Sequence, residues 1–126
     1  MEDELYATGI AIREQMWGPD GAQNKVERAS DFQRDLEEMV TRYCFGATWG
    51  REGLTHAERS MLTLGMLIAL GRSHEIGVHV VGGINNGLTR EQIKEILLHA
   101  AVYCGIPASV DAFRTAEPIL DELEAK

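Results

Sequence analysis

The chain has 126 residues, which suits one domain over residues 1–126 and leaves no room for a second. Twelve Lys and Arg against twenty Asp and Glu leave a formal net charge of −8, which repels phosphate backbones and anionic lipid and argues against nucleic-acid or membrane partners. Hydrophobic residues at 44% and charged residues at 25% make an ordinary globular mixture rather than a disordered one.

The opening Met1-Glu2-Asp3-Glu4 is acidic, so no signal segment is expected. A first helix runs over residues 3–17, with Leu5, Ile10, Ile12 and Met16 on a loosely apolar side. It stops before Gly18-Pro19-Asp20-Gly21, which reads as a turn. Ser30-Asp31-Phe32-Gln33 has the form of a capping box, and Phe32, Leu36, Met39, Val40, Tyr43 and Cys44 follow at three- and four-residue steps. Thr55-His56-Ala57-Glu58 is a second capping box. The helix after it, Met61 to Leu70, is apolar almost all round. At about 15 Å it cannot span a bilayer. It must be buried on most sides, which in so small a chain requires a subunit interface.

Gly71 ends that helix, Ser73 is placed to cap the next, and Asn85-Asn86-Gly87 stops it. Thr89-Arg90-Glu91-Gln92 is a third capping box, opening a stripe of Ile93, Ile96, Leu97, Ala100, Ala101 and Cys104. Gly105 and Pro107 set off a last helix carrying Val110, Phe113, Ala116, Ile119, Leu120 and Leu123. The one stretch resembling a strand, residues 78–84, holds two glycines between helix signals. The prediction is an all-α domain of six helices. Cys44 and Cys104 form no CxxC and fall at stripe positions, so they read as packing residues in a soluble, cytoplasmic protein.

Chemistry concentrates in Gly71-Arg72-Ser73-His74-Glu75-Ile76-Gly77-Val78-His79. At about 100° per residue, Glu75 and His79 lie about 40° apart on the helix, with Arg72 on the same face if the first turn includes it. A carboxylate beside an imidazole raises its pKa and fixes its tautomer, which suits proton transfer. The same spacing also describes a solvated i,i+4 pair. The apolar neighbours Ile76, Gly77, Val78, Val80 and Val81 favour the first reading, because ionisable groups in a buried helix need a reason. A zinc site is disfavoured: His74 and His79 are five apart, about 140° round the helix rather than on one face. His99, four after Glu95, reads as a structural histidine, and His56 receives no role. Tyr43, Phe45, Trp49, Arg42 and Arg51 gather near the end of the second helix, as an aromatic core edge or as a pocket wall for an anionic substrate.

Taken together, Arg42-Tyr43-Cys44-Phe45-Gly46, Trp49-x-x-x-Gly53-Leu54, Arg59-Ser60-Met61-Leu62-Thr63-Leu64, Ala69-Leu70-Gly71-Arg72, Glu75-x-x-x-His79, Asn85-Asn86-Gly87, Glu95-x-Leu97-Leu98 and Tyr103-Cys104-Gly105-x-Pro107-Ala108 resemble the carboxymuconolactone decarboxylase family from about residue 5 to 122. The resemblance implies an all-helical, alkylhydroperoxidase-D-like fold and a homo-oligomer, hexamer or trimer. It also implies a cofactor-independent decarboxylase of a small carboxylate or lactone. Alkylhydroperoxidase-D relatives carry a CxxC whose positions are occupied here by Arg72 and Glu75, so dithiol peroxidase chemistry is disfavoured. Family decarboxylases often have Arg where this chain has Val81, and Ala where it has Gly83, which leaves room for another lactone or enol acid, or for a non-enzymatic ligand-binding role. The expected site has His79 as general acid and Glu75 as its orienting partner. Arg72 is the anion or oxyanion binder, and Arg42, Arg59 and Trp49 are further substrate-binding residues.

Overall fold

The computed structural model describes the backbone of residues 2–126 and side chains from Glu4 onward, so Met1 and the side chains of Glu2 and Asp3 in the acidic opening lie outside the description. Every regular element described is helical, and the chain forms two compact units, residues 1–55 and 56–126.

In the first unit α1 (Glu2–Trp17) packs along a long helix that changes character midway. Its first part, α3 (Asp31–Met39), is α-helical, and the continuation Val40–Trp49 is π-helical. Ser30 caps α3, its Oγ accepting the Gln33 N–H at 3.3 Å. Two glycines let α1 lie directly on the π-helical backbone. A Cβ at Gly9 would stand 1.9 Å from the Thr41 carbonyl oxygen, and one at Gly46 2.2 Å from that of Leu5. Ile12, Met16, Phe45 and Trp49 form the core.

Arg13 is buried among these residues. Its Nε donates to the Gly21 carbonyl at 2.9 Å and its Nη1 to Thr41 Oγ1 at 3.0 Å. Nη2 lies 3.1 Å from Glu37 Oε1, and the guanidinium sits 5.6 Å from the centre of the Phe45 ring. A charge held this way is tolerated because each part of it has a partner.

The second unit is a four-helix arrangement of α4 (His56–Leu70), α5 (Ser73–Asn85), α6 (Arg90–Cys104) and α7 (Ile106–Glu124). Leu64, Ile68, Ile76, Val80, Ile93 and Leu97 lead its core. Helices α4 and α5 are each closed at the C-terminus by a left-handed glycine. Gly71 (φ 72°) donates to the Ile68 carbonyl while Arg72 donates to Leu67. Gly87 (φ 105°) donates to Ile84 while Leu88 donates to Gly83. These paired bonds satisfy carbonyls that a helix end leaves open, and only glycine adopts that φ without strain. Thr89 completes both halves of its capping box with Gln92, at 3.0 and 2.9 Å.

The all-α expectation holds, but the six-helix count does not. Seven α-helices are present among the described residues, because the turn region 18–27 winds into a 3-10 turn (Pro19–Gly21) and a short α2 (Gln23–Glu27). Ser73 is the first residue of α5 rather than its cap, and its hydroxyl donates to Asp111 Oδ2 on α7 at 2.6 Å. The apolar stripe of α3 faces outward, with Phe32, Leu36, Met39 and Tyr43 exposed, and Cys44 is exposed with them. No residue of α3 is buried, because α1 packs along Val40–Trp49 rather than along α3. The Met61–Leu70 stretch buries Leu64 and Ile68 and leaves Leu62, Met66 and Leu70 exposed. No described helix is long and apolar enough to cross a membrane.

Gly9→Ala should lower stability by about 3 kcal/mol, the upper end for overpacking because the obstacle is backbone. The urea midpoint followed by Trp17 and Trp49 fluorescence reads it, and an unchanged midpoint would mean that α1 does not ride on the π-helical segment.

Candidate active site

Helix α5 presents one buried side, Ile76, Gly77, Val80 and Gly83. Glu75 and His79 fall on the flank of that side, one turn apart, Glu75 exposed and His79 half-buried. Burial pushes the His79 imidazole down from 6.5 to about 4, while the Glu75 charge pulls it back up. The carboxylate acts in the direction expected from the sequence, but desolvation is the larger effect, so His79 is neutral near pH 7 in this chain. Glu75 also stands in the first turn of α5, where a carboxylate is favoured by the helix dipole.

Arg72 is exposed and sits just before the helix, with a non-helical backbone (φ −94°, ψ 74°). The helical angle anticipated for it therefore does not apply, although it adjoins the same end of α5 as Glu75. Arg59 is half-buried on α4. Its neighbour Ser60 is fully buried and accepts a hydrogen bond from Asn86 Nδ2 at 3.0 Å, which ties this part of α4 to the far end of α5. Asn86 Oδ1 is buried and takes no hydrogen bond from any described residue. Asn86 lies seven residues after His79, on the same face. The sequence marks it first as a helix stop, with a loop amide able to line a site as the alternative, and the tie to Ser60 has no sequence signal.

Arg42 and Trp49 belong to the first unit. The Arg42 guanidinium lies 5.2 Å over the Tyr6 ring and 3.7 Å from Glu38 Oε2. Trp49 is 5% exposed and packs at 5.7 Å on Phe45. Both are engaged in holding their own unit, which corresponds to the core-edge reading of that aromatic cluster. The structure thus places Glu75 and His79 on α5 and Arg72 just before it, with Arg59 on α4 near the residue that is tied to the other end of α5.

His99, read from sequence as a structural histidine, is exposed, with its ring 5.0 Å from that of Tyr103. It lines an open groove of about 900 Å³ between α4 and α6, whose lining includes neither Glu75 nor His79. Among the described residues no three His, Cys, Asp or Glu side chains gather as a metal site would require.

The profile of the carboxymuconolactone decarboxylase family matches residues 34–118, across both units. The chain is 34% identical over 122 residues to a 4-carboxymuconolactone decarboxylase of Acinetobacter baylyi, covering 97% of this chain and 91% of that one. It is 37% identical over 122 residues to a nitrosuccinic acid decarboxylase of Metarhizium robertsii, covering 97% and 85%. An uncharacterised 15.0 kDa protein of Paracoccus denitrificans is 30% identical over 80 residues, 62% of this chain and 60% of that one. With helices throughout and relatives matching almost end to end, the chain belongs to the carboxymuconolactone decarboxylase family.

Proposed function

We propose that the protein is a cofactor-independent decarboxylase of a small lactone acid, 4-carboxymuconolactone or a close analogue, which it converts to an enol-lactone of the 3-oxoadipate type with release of CO2. In this reading it serves aromatic-compound catabolism by a β-ketoadipate route in the cytoplasm. Its two units act as one functional domain within a homotrimer or homohexamer. The observation that carries the reading is the Glu75–His79 pair, an imidazole half withdrawn from water with a carboxylate acting on it, in a chain whose relatives are named as decarboxylases.

Loss of CO2 from such a substrate pushes an electron pair through the ring alkene into the lactone carbonyl. The dienolate needs a cation or hydrogen-bond donor at its oxygen and a proton at carbon. Arg72 supplies the cation and His79 the proton. His79 is neutral in the free protein, so it takes up its proton with the anionic substrate, whose charge adds to that of Glu75. A nitro-substituted diacid makes the same demand, because its carbanion is delocalised onto nitro oxygens.

A second reading keeps the site and changes the substrate to another lactone or enol acid, with isomerisation or hydrolysis as alternatives. Val81, half-buried two residues after His79 where family decarboxylases often have Arg, favours it by removing a charge that would grip a multiply charged lactone. A non-enzymatic ligand-binding assembly protein would leave the whole Glu75–His79 pair in solvent with no pocket beside it; Glu75 is exposed, but His79 is half-buried.

Incubation with 4-carboxymuconolactone should release CO2, and no turnover would move the assignment to the second reading. His79→Gln should keep fold and assembly while the rate falls by roughly 10²–10⁴, the usual worth of a positioned general acid. Undiminished turnover would place the acid elsewhere.

The pH profiles carry a further expectation. Activity of a protonated histidine is lost as pH rises through its pKa. kcat/KM reports the free protein and kcat the complex, so the alkaline limb of kcat should lie at higher pH than that of kcat/KM. Glu75→Gln should move both limbs to lower pH. Coincident limbs would exclude proton uptake with substrate.

Stability should follow the same group. With a folded value of about 4 against 6.5, the unfolded chain binds a proton between those values that the folded chain refuses. His79 therefore lowers stability as pH falls from about 6.5 toward 4 and has no effect above that window. Urea midpoints at pH 7 and pH 4.5 should differ less in His79→Gln than in the natural chain; equal differences would contradict the burial of the imidazole.

A further inference from the structure

Two apolar features of the chain lack cover. On α3 and the first turn of the π-helical segment, Phe32, Leu36, Met39 and Tyr43 are 95%, 57%, 57% and 52% exposed. Their spacing of four, three and four residues is the repeat of a helix whose side chains insert as knobs between the residues of facing helices. In the second unit, α4 and α6 flank the groove of about 900 Å³, with Met61, Gly65 and Met66 on one wall and Ile96, Ala100 and Tyr103 on the other. Gly65 leaves open space where a side chain would stand. A methionine- and aromatic-lined hollow with few charges has the composition of an interface core.

We propose that the Phe32–Tyr43 ridge of one copy seats in the α4–α6 groove of a second copy, an arrangement that rests on the homo-oligomer reading above. The forms correspond, since one helix offers a ridge and the space between two helices accepts one. The lengths correspond too: the ridge spans eleven residue steps, and so does the groove wall from Gln92 to Tyr103, about 16 Å each. The four ridge side chains expose on the order of 500 Å², which is the share that one partner brings to a specific interface of about 1,000 Å². Ridge against ridge would leave the groove wet, and groove against groove would leave Phe32 in water. Each chain carries both halves, so the contact is head-to-tail and repeats until a ring closes.

The test uses two full-length variants with changes at exposed positions outside the proposed catalytic residues. Leu36→Asp breaks the ridge, Met66→Asp breaks the groove, and far-UV circular dichroism checks that both remain helical. In light scattering the natural chain should assemble and each variant alone should fall to a smaller species. Mixing the two variants should restore a pair of twice the 14.0 kDa chain mass, because one intact ridge and one intact groove remain between them. Cys104, which lines the groove, should react with maleimide more slowly in the natural assembly than in either variant, with peptide mapping separating it from Cys44. A Met66→Asp chain that assembles as the natural one does would overturn the ridge-in-groove contact while leaving the homo-oligomer and decarboxylase readings standing. A natural chain that is monomeric would overturn the homo-oligomer reading and this contact together.

Discussion

The closeness with which α5 is packed governs everything proposed for the site. Its buried side includes two glycines against which neighbours press: a Cβ at Gly77 would stand 2.9 Å from Ile119 Cδ1, and one at Gly83 3.1 Å from Leu88 Cδ1. Burial is what lowers the His79 value, because the imidazole loses hydration on charging and one carboxylate a turn away does not replace it. Gly83 lies four residues after His79, on the same flank of the helix, so a bulkier residue there would press on Leu88 and disturb the face that carries the imidazole.

How much could be read from sequence differs by kind of feature. Local hydrogen-bonding signals were the most legible: the Thr89 capping box, the Ser30 cap and the glycine stops at positions 71 and 87 all depend on residues within a few positions of one another. The Glu75–His79 pair was legible for the same reason. Ser73 misled because a serine one residue before an expected helix is indistinguishable in sequence from one that begins it, and its hydroxyl went to Asp111, 38 residues away. The apolar stripe of α3 was legible as a stripe but not as an exposed one. Periodicity reports which residues share a face, and says nothing of what, if anything, lies opposite.

Residue type also proved a poor guide to which charges stand ready for a ligand. Arg42 reads as a cation near an aromatic cluster, yet its guanidinium is stacked on Tyr6 and drawn to Glu38. Arg13 attracted no notice, and it is the most elaborately bonded charge described in the first unit. Its position among Gly9, Ile12 and Met16, all buried on one side of α1, follows three- and four-residue steps, so periodicity was sufficient to place it inward. What periodicity lacked was the set of partners, Gly21, Thr41 and Glu37, that makes such a placement tolerable. Arg72, by contrast, is exposed beside the start of α5, a cation at the rim of the proposed site.

The π-helical stretch Val40–Trp49 has a bearing on how this chain can change length. Winding with i→i+5 bonds holds close to one more residue per turn than an α-helix does. Ten residues wound this way therefore carry slack that an α-helix lacks. A deletion inside the stretch can be absorbed by tightening toward α-helical winding while the ends stay near their places. An insertion finds no comparable reserve, since a still wider coil opens a hole along its axis. The first unit is accordingly built to tolerate loss in this segment more readily than gain.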